Sequence, residues 1–100
     1  MSKDIDEDFY KRADAHIHLS NDQCAKIARG RVSASMMYAA ARFNAWVSAC
    51  GFRSREEMVA ARAETVAYFV DQYRKMLEDN LDDHIEHFDN YMKPEGQSEN

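Results

Sequence analysis

Apolar residues recur along this chain at intervals of three and four, the spacing of one face of an α-helix. The densest run is Val32 to Gly51, VSASMMYAAARFNAWVSACG, where Arg42 is the only ionisable side chain apart from Tyr38 and Cys50. Alanines there separate Met36, Met37, Phe43, Trp46 and Val47. A helix that is apolar nearly all round must be covered on most sides, so this run predicts the central helix of a small bundle. Ser33 is placed to cap its start and Gly51 to end it, with Phe52 folding back on Val47.

Upstream, Phe9, Ala13, Ile17, Ser20, Cys24 and Ile27 predict a first helix from Asp8 to Arg29, stopped by Gly30. Glu7 with Lys11, and Asp8 with Arg12, stand four apart with the acid first, the favourable order. Downstream, Ser54 and Glu57 form a capping box that opens a third helix. Its apolar positions run from Met58 through Val66, Phe69, Tyr73 and Leu77 to Met92, and nothing interrupts the period before Pro94. Asp71 with Lys75, and Arg74 with Glu78, add solvated pairs.

A single helix from Arg55 to Tyr91 would be about 55 Å long, whereas a compact domain of this size has a radius of gyration near 13 Å, on the order of 2.2·N^0.38. Two outcomes follow. The helix breaks near Asp79, with Asn80 capping a fourth helix whose Leu81, Ile85, Phe88 and Met92 return onto helix one. Otherwise it runs on, and the same four residues form an intermolecular seam. The expected architecture is therefore all-α: a small helical bundle of three long helices, the third kinked or split into a fourth. It forms one domain over residues 1–93, followed by a polar, disordered tail at 94–100.

One proline and three glycines argue against a β-sandwich or barrel. A formal charge of −5 is a poor footprint for nucleic acid or an anionic membrane, both of which want a basic stripe. No apolar run reaches a membrane span without a charge, and the acidic N-terminus has no signal core, so a cytoplasmic location is expected. Cys24 and Cys50 are not spaced as metal ligands and are expected to be reduced and largely packed.

Candidate chemistry is sparse. His16 and His18 are two apart and point to opposite sides of a helix. His84 and His87 share a face near Asp83, but no Glu-x-x-His occurs, and the acidic stretch Asp79 to Asp89 lacks the glycine of a calcium loop. No metal and no cofactor are expected, and no nucleophile has an attached base. Arg42 and Asn44 interrupt the apolar helix, and Tyr38, Arg42 and Trp46 are spaced to lay the guanidinium along an aromatic face. Either they form a polar network that fixes helix register, or Tyr38, Arg42 and Asn44 line a site for a small anionic ligand.

Three stretches are distinctive in combination: FYKRADAHIHLSNDQC, GRVSASMMYAAARFNAWV and YFVDQYRKMLEDNLDDHIEHFDNYM. Together they resemble a family of short proteobacterial proteins known only as a domain of unknown function. The resemblance runs from about Phe9 to Met92 and implies a soluble, single-domain bacterial protein. It brings no activity, cofactor or catalytic residue. The functional expectation is a non-enzymatic interaction module, acting as a homodimer or on another protein through Leu81, Ile85, Phe88 and Met92. The alternative is a binder of a small anionic ligand around Arg42.

Overall fold

The computed structural model describes residues 6–93. Within them the chain is all-α, as its periodicity predicts: α1 Phe9–Cys24, α2 Arg29–Cys50, α3 Arg55–Glu86 and the short α4 Phe88–Tyr91. The expected tail at 94–100 lies outside the described residues. The chain divides into two units, Met1–Trp46 and Val47–Asn100, with the division inside α2.

In the first unit, Asp6 organises the start of α1. Its carboxylate accepts from the Asp8 backbone N–H at 2.9 Å, and its carbonyl accepts from Phe9 at 3.1 Å. Arg12 forks onto both Asp6 oxygens at 3.2 and 2.9 Å, so its partner is Asp6 and not the expected Asp8. Lys11 reaches Asp8 at 3.7 Å instead of Glu7. The carboxylate at position 6 competes successfully because it serves the Asp8 N–H and the guanidinium at once.

Helix α1 ends at Cys24, earlier than Gly30 suggests. Gln23 O accepts from both Lys26 (2.9 Å) and Ile27 (3.2 Å), closing a turn. Ala28 O then accepts from Arg31 and Val32, so α2 is already under way at Gly30, and Ser33 lies inside it, not at its cap. Gly30 follows a helical path because the backbone bonds on either side of it are made. Val32, 4% exposed, is the one buried apolar side chain among the described residues. Ser35 Oγ donates to Val32 O at 3.0 Å, and Ser20 Oγ reaches across to Met36 Sδ at 3.9 Å.

The expectation that α2 is wrapped on nearly all sides is not met: Met36, Phe43 and Val47 are exposed. The facing helix of this unit has too little to offer. Only Phe9, Ala13 and Ser20 of α1 are half-buried, while its larger Ile17 and Leu19 face solvent. Phe43 and Trp46 contact each other with ring centroids 5.7 Å apart.

In the second unit, Gly51 and Phe52 close α2 through bonds to Ser48 O and Ala49 O. Ser54, in an extended conformation, caps α3 by accepting from Glu57 N at 3.1 Å. Glu57 reaches back to the Arg53 N–H at 2.7 Å, one residue beyond the box partner. Helix α3 then runs unbroken for 32 residues. No break occurs at Asp79, because Asn80 bonds inward to Met76 O at 2.8 Å and does not cap a new helix. The interruption falls at His87 (φ −112, ψ 30), and the fourth helix is only the four residues Phe88–Tyr91. The expected pairs of Asp71 with Lys75 (3.2 Å) and Arg74 with Glu78 (3.7 Å) are formed. Cys24 and Cys50 are free thiols, and both are exposed where packing was expected.

Candidate functional site

Helix α3 carries two apolar faces that its sequence does not separate at first sight. One holds the half-buried Met58, Ala61, Thr65 and Phe69, with Thr65 Oγ1 bonded to Ala61 O at 2.9 Å. The other is open. Val59, Ala63, Val66, Val70, Tyr73 and Leu77 follow one another at alternating intervals of four and three, and all are exposed, the five larger ones from 42% at Leu77 to 60% at Val59. The next two positions of that spacing are Asn80 and His84, also exposed. Reading the apolar positions of α3 as one stripe missed this division, although the regular four-three spacing carries the signal.

Leu81, Ile85, Phe88 and Met92, the sequence-derived interface residues, are all exposed, Ile85 most of all at 72%. Leu81 and Ile85 lie on α3, Phe88 opens α4, and Met92 follows it.

At the α3–α4 junction the side chains converge. Tyr91 donates to Asp83 Oδ2 at 2.9 Å, and His87 Nδ1 lies 3.2 Å from Asp83 Oδ1. The Tyr91 ring rests 4.6 Å from the His84 ring and 5.8 Å from that of His87. The His84 Nδ1 bonds to Asn80 O at 2.9 Å. The hydrogen bond and negative charge of Asp83 raise the Tyr91 phenol above its ordinary value, since both favour keeping its proton. The cluster is exposed and locally bonded, which suits a helix terminus.

Tyr38, Arg42 and Asn44 lie on α2. Tyr38 and Arg42 are exposed and Asn44 is half-buried, so the first two face solvent and do not line an enclosed cavity. An open hollow lies elsewhere, lined by Phe52, Glu57, Ala60 and Glu64 among others. Among the described residues, no group of three or more His, Cys, Asp or Glu side chains is placed to hold a metal ion. No helix among them is long and apolar enough to cross a membrane.

The family model described as protein of unknown function (DUF3144) matches residues 9–85. The chain belongs to this family. No match was found among curated proteins or among solved structures. The matched span contains α1, α2 and α3 to its penultimate residue, and so the whole open row from Val59 to His84. Phe88, Met92 and the Tyr91 end of the junction cluster lie beyond it.

Proposed function

We propose that this protein is a non-enzymatic helical interaction module that acts as a homodimer. The observation that carries the reading is the open apolar face of α3, continued by Leu81 and Ile85 and then by Phe88 and Met92. Apolar side chains spaced along more than 20 residues of one helix are costly to leave in water. A half-exposed Tyr, Leu or Val gains on the order of 1 kcal/mol when a partner covers it. Placement of Tyr38 and Arg42 in the open supports this reading over an enclosed site for a small anionic ligand. Sedimentation equilibrium from low to high micromolar protein tests it. A dimer over that range is expected, and a monomer at the highest concentration would remove the proposal.

A further inference from the structure

We infer that the dimer forms by antiparallel pairing of α3 with α3 of a second copy, about a two-fold axis level with Asp71 and Gln72. This rests on the homodimer reading and specifies its surface, orientation and register.

The row Val59, Ala63, Val66, Val70, Tyr73, Leu77, Asn80, His84 keeps the four-three alternation without a slip. That is the heptad spacing of a two-helix seam, in which each side chain enters a hole on the facing helix. The row spans 26 residues, or about 39 Å of helix. With its flanking side chains it offers roughly 700 Å² per copy, so two copies would bury on the order of 1,400 Å², the size of a specific interface.

Orientation follows from charge. Between residues 55 and 70, α3 carries two basic and three acidic side chains, a net −1. Between 71 and 86 it carries two basic and six acidic, a net −4. Parallel pairing would bring the two acidic halves alongside each other, with Asp83 of each copy flanking the seam, and like charges repel. Antiparallel pairing sets each acidic half beside the nearly neutral half of the other helix.

Register follows from a symmetric axis, because a two-fold interface must match residue i with j and j with i. Aligning the row with its reverse pairs Val70 with the partner's Tyr73, and Val66 with the partner's Leu77. Farther out, Ala63 meets the partner's Asn80, and Val59 meets the partner's His84. The flanks then match without further adjustment. Arg62 lies beside the partner's Asp83, Phe69 beside the partner's Met76, and Leu81 over the partner's Ala60. The two polar positions are compatible with the seam, since Asn80 donates its amide to Met76 O at 2.8 Å and His84 Nδ1 is bonded to Asn80 O. Asn80 also faces the smallest side chain of the row. Ile85, Phe88 and Met92 lie outside the last layer.

Disulfide trapping tests the arrangement. In a chain carrying Cys24→Ser and Cys50→Ser, Ala63→Cys and Asn80→Cys are made as separate proteins and oxidised alone and mixed, with sedimentation of each run in parallel. In the antiparallel register, the two copies of position 63 are separated by about 26 Å along the axis, whereas positions 63 and 80 face each other. The mixture is therefore expected to yield a covalent dimer at least tenfold more abundant than either protein alone. Efficient cross-linking of Ala63→Cys by itself would overturn the inference in favour of a parallel pair. A dimer by sedimentation with no cross-link in any sample would overturn the seam and leave the homodimer standing. A monomer in every sample would overturn both.

Discussion

Tyr91 donates its phenolic proton to Asp83, eight residues earlier in the chain, and so bridges the interruption at His87. The bond holds the short α4 against the last turn of α3 at the point where the backbone leaves helical geometry. The Tyr91 phenol is raised from 10.0, so this stabilisation is fully present below the ordinary phenol range and is lost as pH rises through the shifted value. Phenolate absorbance is expected to show the Tyr91 phenol titrating above its ordinary value. Asp83→Asn should return it towards the ordinary value; a titration unchanged by that substitution would show that Asp83 does not hold the phenol.

Asp6 provides the opposite sign at the other end of the described chain. The Arg12 guanidinium holds its carboxyl below 3.8, aided by the Asp8 N–H. Its contribution to the start of α1 is present above the ordinary carboxylate value and disappears as pH falls through the lowered one. Carboxyl NMR is expected to find the Asp6 carboxyl titrating below its ordinary value, and Arg12→Gln should move it upward. Both side chains are exposed, so global stability should change little.

The cap at Ser54 is a discrete local anchor. Ser54→Ala removes the acceptor for Glu57 N and is expected to cost about 1 kcal/mol, whereas Ser54→Gly should cost only a few tenths. Thermal or urea unfolding followed by circular dichroism measures both. Equal losses for alanine and glycine would indicate that the side chain is not the cap.

A charge in the seam should separate the two faces of α3. Leu77→Lys places an ammonium in the open row, while Tyr68→Lys places one on the far side of the same helix, at a residue that is likewise exposed. The first is expected to weaken self-association at least tenfold and the second to leave it within about twofold, where tenfold is about 1.4 kcal/mol. Sedimentation equilibrium on both variants decides; similar weakening by each would mean that association does not depend on this face.

Much of the fold was legible because it is written locally. Ser54 and Glu57 lie three residues apart, and the Asp71–Lys75 and Arg74–Glu78 pairs sit within one turn, so their partners are fixed by helix geometry alone. The α1–α2 boundary was not legible. Ala28 closes it with a backbone carbonyl and no side-chain cap, while Gly30 and Ser33, which resemble boundary residues, sit inside α2. Asn80 misled for a related reason: an amide suited to capping serves equally well when it bonds back to Met76 O and lets the helix continue. As for the candidate surface, Leu81, Ile85, Phe88 and Met92 are exposed. The open row beginning at Val59 went unseen because an apolar residue records only its distaste for water. It does not record whether its own chain or another one supplies the cover.

That Val32 is the one side chain shut away from solvent among the described residues has a calorimetric consequence. Unfolding raises the heat capacity in proportion to the oily surface newly wetted, and a solitary copy has less of it left to wet than a paired one. Such a copy would melt over a broad span of temperature with a shallow enthalpy peak. A sharp endotherm would belong to the paired species, and its midpoint would climb as more protein is loaded into the cell.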